Sequence, residues 1–375
     1  MTLVINSLGA VPARGQWAQP VLDQLQRDKA YLFIIFGMLA AWGLGVHVLY
    51  EVVGGPPITA SERATKFATR LVNRTIIFAL AFVVIRFIQH ERSAAEGSLF
   101  KNVWSAIRLR PADYVFIPVY ALIAALSFTW LQTNFMSAKT AIPMLTDYWL
   151  DPMARKWDIA IFGQDPWKYF AWIYDYPLAV QFVDRLYMYW AALIAGFWMW
   201  ALCSRRMERT RRWQYIIAML LIWFVAGNVL ATLLASVGPV YYEEFFGDPA
   251  LFAPLMAELH AISADTPLRA VNYQSYLLHY YHHPETRFGG ISAIPSLHVG
   301  TSLMMLFLFW RTRIAREALI AFNIIIYVGS IILGWHYGVD GLIALPIALA
   351  CWWCAGRIVA AVERRTLAQT AESRF

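Results

Sequence analysis

Charge is scarce in this sequence. Lys, Arg, Asp and Glu together make up only 15% of 375 residues, which excludes an ordinary soluble domain with a charged shell. Cysteine is scarcer still: Cys203, Cys351 and Cys354 all sit in or at the ends of apolar runs, which argues against an extracellular disulfide framework. Cys351 and Cys354 share a helical i,i+3 spacing that is read as packing, not redox chemistry. Internal repeats and low-complexity tracts are lacking too. The first 29 residues show no charged start, apolar core and small-residue cleavage site, so no cleaved signal peptide is expected.

What fills the chain is apolar. Hydrophobic residues account for 59% of positions and the mean hydropathy is +0.49, so the bilayer is the expected solvent. Many of the 17 tryptophans stand near the ends of apolar runs, where an amphipathic indole rests at headgroup level. The net charge of +7 is explained by Lys and Arg on cytoplasmic loops, and no nucleic-acid partner is expected.

A spanning helix needs about 20 mainly apolar residues. Eight runs qualify, centred on 30–50, 75–88, 114–131, 186–203, 215–237, 297–310, 318–335 and 339–362, the second and sixth being short. None alternates as a barrel strand does, so the expected fold is an all-α integral membrane protein with about eight transmembrane helices. Arg205, Arg206, Arg209, Arg211 and Arg212 after the fourth run, and Arg311, Arg313 and Arg316 after the sixth, mark cytoplasmic loops. Both termini then lie in the cytoplasm. Arg63, Lys66, Arg70 and Arg74 oppose that rule and read as an amphipathic interfacial lead-in to the second run. The long connections 132–185 and 238–296 fall on the outer face, periplasmic or lumenal, with a bacterial inner membrane as the expected location.

Two stretches on that face carry chemistry. Gly289-Gly290-Ile291-Ser292-Ala293-Ile294-Pro295-Ser296-Leu297-His298 leads into the sixth run as a helix start. Proline suits its first turn, Ser296 can cap its free amides, and those amides with the helix dipole favour a phosphate. His336 and Asp340, at the start of the last run, are four residues apart and share a face if that stretch is helical. A carboxylate on one imidazole nitrogen fixes the tautomer and leaves the other nitrogen as a nucleophile toward phosphorus. His298 is then the acid and base for the leaving and entering oxygens. The scheme needs neither a metal nor a cofactor. Either stretch alone occurs by chance; two histidines on one predicted face at membrane depth point to function.

Pro295-Ser296-Leu297-His298 and His336-Tyr337-Gly338-Val339-Asp340 resemble the second and third signature motifs of the type-2 phosphatidic acid phosphatase superfamily. Ser-Ala-Ile-Pro-Ser-Leu-His and His-Tyr-x-x-Asp are most similar to its inositol phosphorylceramide synthase-like (inositolphosphotransferase) branch, whose members move phospho-headgroups between lipids. The resemblance implies a six-helix catalytic core over 111–362, preceded by two extra spans in 1–110 and followed by a cytoplasmic tail at 363–375. It implies His336 as nucleophile, Asp340 as its partner and His298 as acid and base, acting on a phospholipid or lipid phosphate. The expected function is transfer of a phosphoryl or phospho-headgroup to a hydroxyl. Hydrolysis of a lipid phosphate or polyprenyl diphosphate, or non-catalytic lipid binding or transport, are the competing readings.

The first motif of that superfamily, a Lys, six residues and Arg-Pro, has no counterpart at Val237-Gly238-Pro239, and Ser330 occupies the place of a further arginine. Lys101 and Arg108, with Arg110-Pro111, mimic it on the cytoplasmic side and are read as a decoy. Phosphate charge must be met elsewhere. Arg287 is the first candidate and Arg185 the second, beside Ser296. A metal at His279, His282 and His283, with Glu285 the nearest carboxylate, is weighed below a solvated aromatic loop. Asp184 and Arg185 are read as an internal ion pair, with phosphate contact by Arg185 as the alternative. Asn228 and Asn323 read as interhelical hydrogen-bonding groups.

Overall fold

The computed structural model describes residues 19–54, 68–69, 71–73, 111–204, 207–283 and 290–372. The expected second span at 75–88, the basic stretch before it, the decoy Lys101, Arg108 and Arg110, and Arg287 with Glu285 lie outside them.

The described residues are helical, with no strand among them. The principal helices are α1 (Gln19–Val53), α2 (Pro111–Thr140), α3 (Asp151–Phe162), α4 (Pro177–Met188), α5 (Trp190–Cys203), α6 (Arg209–Leu233), α7 (Pro249–Asp265), α8 (Arg269–His282), α9 (Leu297–Leu308), α10 (Arg313–Ile332) and α11 (Gly338–Glu372). Five of them, α1, α2, α6, α10 and α11, are long and apolar enough to cross a membrane. The α4–α5 pair, bent by 40°, makes a sixth if counted as one span. Of the eight runs expected, one lies outside the described residues. Another, α9, has only 12 residues. At 1.5 Å per residue it reaches about 18 Å, short of a hydrocarbon core of about 30 Å.

Helix α6 is the axis of the bundle. From Trp213 through Leu220 nearly every side chain is buried, as expected of a helix that is apolar all round. It packs on α11, α9, α2, α5 and α1. The peripheral helices bury one stripe only: α1 turns Asp28, Tyr31, Ile35, Leu39, Trp42, Val46 and Tyr50 inward and leaves Phe33, Leu44 and Val48 exposed. Apolar residues on both faces are what a lipid-facing helix requires. The chain is an integral membrane protein on this pattern.

A buried polar knot closes the end of the bundle where α11 finishes. Asp28, fully enclosed, accepts hydrogen bonds from Arg209 Nε at 2.8 Å, Trp213 Nε1 at 3.1 Å, Tyr120 at 2.6 Å and Gln24 at 2.8 Å. Arg209 also pairs with Glu363 at 2.6 Å. Helices α1, α2, α6 and α11 are thereby fixed in register, because no member of the knot can leave without stranding a charge. Helix α11 runs unbroken past residue 362 to Glu372.

At the opposite end most of the described residues of the two long connections are helical. Residues 132–140, expected as loop, continue α2: Leu131, Phe135 and Ala138 stay buried at i, i+4 and i+7. Within α6 the turn at Val225–Leu230 is π-helical, and Asn228 there donates to the Phe135 carbonyl at 3.3 Å. Asn323 and Ser302 likewise bond across α10 and α9, at 2.8 Å.

Helix α3 is inverted relative to a soluble helix. Its aspartates Asp151 and Asp158 face inward while Met153, Trp157 and Ile161 are exposed. Both carboxylates serve as braces. Asp151 accepts from Val237 N at 2.9 Å, Gly238 N at 2.7 Å, Ser236 Oγ at 2.9 Å and Tyr337 OH at 3.0 Å. Asp184 does the same for α8, accepting the Arg269 and Ala270 amides at 2.9 and 2.7 Å. It is therefore bound to backbone amides instead of forming the expected pair with Arg185.

Candidate active site

The turn between α10 and α11 is built around one carbonyl. Ser330 O accepts both the Trp335 and His336 amides at 3.0 Å, and Gly334, with φ of 73°, makes the left-handed reversal between them. Helix α11 then starts at Gly338, whose amide and that of Val339 donate to Asp158 Oδ2 and Oδ1 at 2.9 and 2.8 Å. A carboxylate distant in sequence thus satisfies the orphan amides of the first turn. His336 precedes the helix, so its four-residue spacing from Asp340 spans a turn and not one helical face. The contact forms all the same: His336 Nδ1 lies 2.9 Å from Asp340 Oδ2, which also accepts the Tyr337 amide at 3.2 Å.

The segment standing where the superfamily's first motif is expected packs directly on this turn. Val240 N donates to Gly334 O at 2.9 Å, and a Cβ on Gly238 would meet Trp335 O at 2.5 Å. Gly238 also has φ of 87°, so both sterics and backbone require glycine there. Residues 236–240 therefore support the turn that carries His336 through backbone, with Asp151 as their anchor.

His298 arrives from the first turn of α9. Ser296 caps that helix, its Oγ accepting the Val299 amide at 3.4 Å. The Ser296 hydroxyl is fully buried and lies outside the cavity wall, so its visible task is the cap. The His298 ring stacks on Tyr187 at 4.2 Å and 16°, lies 4.1 Å from the Trp190 ring, and is 6.1 Å from the ring of His336. Trp190 is itself held by Thr301 at 2.9 Å. His298 is oriented by aromatic packing, and His336 by a carboxylate.

Both histidines face one cavity of about 400 Å³. Its wall carries the polar Lys139, Ser292, His298 and His336 together with the apolar Phe135, Met136, Trp190, Trp223, Ala226 and Gly227. Tyr273 and Leu277 of α8 and Trp335 also line it. Helix α8 is held in place there: Gln274 donates to the Leu333 carbonyl at 2.8 Å, and Tyr241 OH to the Gln274 carbonyl at 2.9 Å.

Lys139 is the cation of this cavity among the described residues, and the sequence reading missed it. Its ammonium has no carboxylate partner among them. Arg185 is exposed and does not line the cavity. Arg287 lies outside the described residues. The recoverable signal was the burial pattern: apolar residues at 131, 135 and 138 continue the period of the third run and carry residue 139 to the cavity.

Burial first, then the Lys139 ammonium, holds the His336 imidazole below its ordinary value, which keeps it neutral. Burial raises the Asp158 carboxyl to about 7, against the lowering effect of the Gly338 and Val339 amides. Burial likewise raises Asp151. In the histidine-rich segment, His282 pairs with Glu244 at 3.0 Å and the His279 and His283 rings lie 4.5 Å apart. No group of three or more candidate metal ligands gathers among the described residues.

An imidazole backed by a carboxylate, a second imidazole across the same cavity and a cation in its wall form a constellation suited to phosphoryl transfer. The family model of the PAP2 superfamily matches residues 156–354, more than half of the chain, and the chain belongs to that superfamily. Its members are generally phosphatases or phosphotransferases, acting on lipid phosphate substrates. No curated protein and no solved structure matches the chain.

Proposed function

We propose that the protein is a membrane-embedded lipid phosphotransferase working through a phosphohistidine. The other ring nitrogen of His336, Nε2, attacks the phosphorus of a phospholipid or lipid phosphate. The N–P bond forms as the ester P–O bond breaks, and His298, protonated once the anionic phosphate sits beside it, gives its proton to the departing oxygen. His298 then takes the proton of an acceptor hydroxyl, which attacks the phosphohistidine and returns His336 to its starting state. Asp340 holds the Nδ1 proton throughout and offsets charge on the ring. Lys139 meets the phosphate charge that the missing first-motif cations would otherwise meet.

The observation that carries this reading is the 2.9 Å His336–Asp340 bond at the wall of a cavity that also contains His298 and Lys139. Transfer in place of hydrolysis, and a place in the inositol phosphorylceramide synthase-like branch, draw support from the apolar lining and from the hydrogen-bonded α8 against the cavity, since a lasting phosphohistidine needs water kept away. We place the site on the periplasmic or lumenal side and the arginine-rich loops in the cytoplasm. Detergent-purified protein given a phosphorus-labelled phospholipid and an alcohol acceptor tests the proposal. A new labelled lipid supports transfer. Free labelled phosphate identifies a hydrolase, and neither product, with full binding, identifies a lipid-binding protein.

A further inference from the structure

Tyr187 carries more than a stacking surface. Its side chain is 1% exposed and its hydroxyl has no hydrogen-bond partner among the described residues, an expensive state for a buried donor. The same side chain lines the cavity, and its ring lies 4.2 Å from that of His298. Trp335 repeats the arrangement: its indole nitrogen is buried without a partner among the described residues, and the residue lines the same cavity as His336. Two unmet donors in the wall that also holds the Lys139 ammonium, which has no carboxylate partner among the described residues, are polar groups waiting for an acceptor that the resting protein does not supply.

We infer that the Tyr187 hydroxyl is a catalytic residue that donates a hydrogen bond to a non-bridging oxygen of the phosphoryl group held between His298 and His336. This deepens the proposed function and rests on it. As His336 attacks, negative charge gathers on the equatorial oxygens, and a fixed donor at such an oxygen stabilises the transition state more than the ground state. The chain lacks the first-motif arginine, and a neutral hydroxyl supplies directional donation without added positive charge. The stack on His298 fixes the phenol ring, so the donor is positioned before substrate arrives.

Tyr187→Phe keeps the ring and the stack and removes only the hydroxyl. With the labelled phospholipid we expect kcat to fall about 10²-fold while KM stays within about twofold, the signature of a donor used in the transition state. Ligand-free Tyr187→Phe should melt no lower than wild type, because an unpartnered buried hydroxyl contributes nothing to resting stability. The thermal stabilisation that orthovanadate gives the wild type should shrink in the variant. Unchanged kcat, or vanadate protection equal to wild type, overturns the inference, as does a ligand-free melting point lowered by several degrees. His336→Ala separates the two levels. If it retains full turnover, the phosphohistidine reading fails; if it is dead while Tyr187→Phe is fully active, only the role of Tyr187 fails.

Discussion

Asp158 Oδ2 accepts the amide of Gly338 at 2.9 Å and its Oδ1 that of Val339 at 2.8 Å, so one carboxylate from α3 closes the first turn of the helix that presents Asp340. The bond joins residues 180 positions apart. It makes the start of α11, and hence the setting of His336, dependent on the protonation of a single side chain.

The sign of that dependence is set by burial, which raises the Asp158 carboxyl to about 7 in the folded protein. An unfolded aspartate titrates near 3.9. The folded state therefore binds the extra proton between these limits, and stability falls as pH rises toward and through 7. The slope contributed by this group is at most about 1.4 kcal/mol per pH unit. Thermal unfolding in detergent from pH 5.5 to 8.5 should show this slope, and Asp158→Asn should flatten it.

Asp340→Asn keeps the shape of the site but can offer an N–H to His336 Nδ1, which favours the wrong tautomer. We expect kcat to fall by on the order of 10³-fold, with acid-labile, base-stable label on the protein lost in parallel. A variant that labels as fast as wild type would remove Asp340 from the mechanism.

Lys139→Met removes the cation that faces both histidines. The expected result is a loss of about 10²-fold in kcat/KM, partly recovered in Lys139→Arg. Arg185→Ala should stay within about twofold of wild type, as is usual for an exposed residue outside the cavity. Turnover of the labelled phospholipid by the three variants, assayed together, distinguishes the cation of the cavity from the one chosen on sequence grounds.

Gly238→Ala places a Cβ 2.5 Å from the Trp335 carbonyl oxygen at a φ of 87°. We expect a stability loss of about 1–3 kcal/mol from the backbone conformation, with more from the clash. Because that carbonyl belongs to the residue before His336, activity should fall below the wild-type value even at temperatures where the variant stays folded. A melting curve paired with kcat on the folded protein checks both.

Asp28→Ala leaves Arg209 only Glu363 as a carboxylate partner among the described residues and removes the acceptor of Trp213, Tyr120 and Gln24 at the far end of the bundle. The cost should be about 3–5 kcal/mol, the usual penalty for removing one partner of a buried pair. Turnover per folded molecule should be unaffected, since the knot lies at the opposite end of α11 from Asp340.

The meeting of His298, His336 and Asp340, the proposed reactive groups, was legible in the sequence because each half of it is local: His336 and Asp340 are four residues apart, and Pro295 and Ser296 announce the start of α9, which carries His298. The helical nature of the spans followed from apolar run length. What escaped was set by distant contacts. Lys139 was hidden because Gln132, Thr133 and Asn134 lower the hydropathy where α2 in fact continues, with Asn134 bonded to the Leu39 carbonyl at 2.8 Å. The braces from Asp151 and Asp158 were hidden because a buried aspartate bound to backbone amides has no local pattern. α9 looked like a span because its composition is apolar, but Phe309 and Trp310 fall outside the helix. Ser296 was placed near phosphate, and its hydroxyl is engaged in the cap that the same motif predicts.

The inward aspartates and outward Met153, Trp157 and Ile161 of α3 bear on how the protein must be handled. Its apolar edge needs a lipid or detergent surface to cover it, while its other edge holds the turn that carries His336. A surfactant too small or too harsh to coat that edge would slacken the turn without unfolding the spanning helices. Such a preparation would stay helical by circular dichroism yet turn over slowly, and restoring phospholipid, not refolding, would recover it.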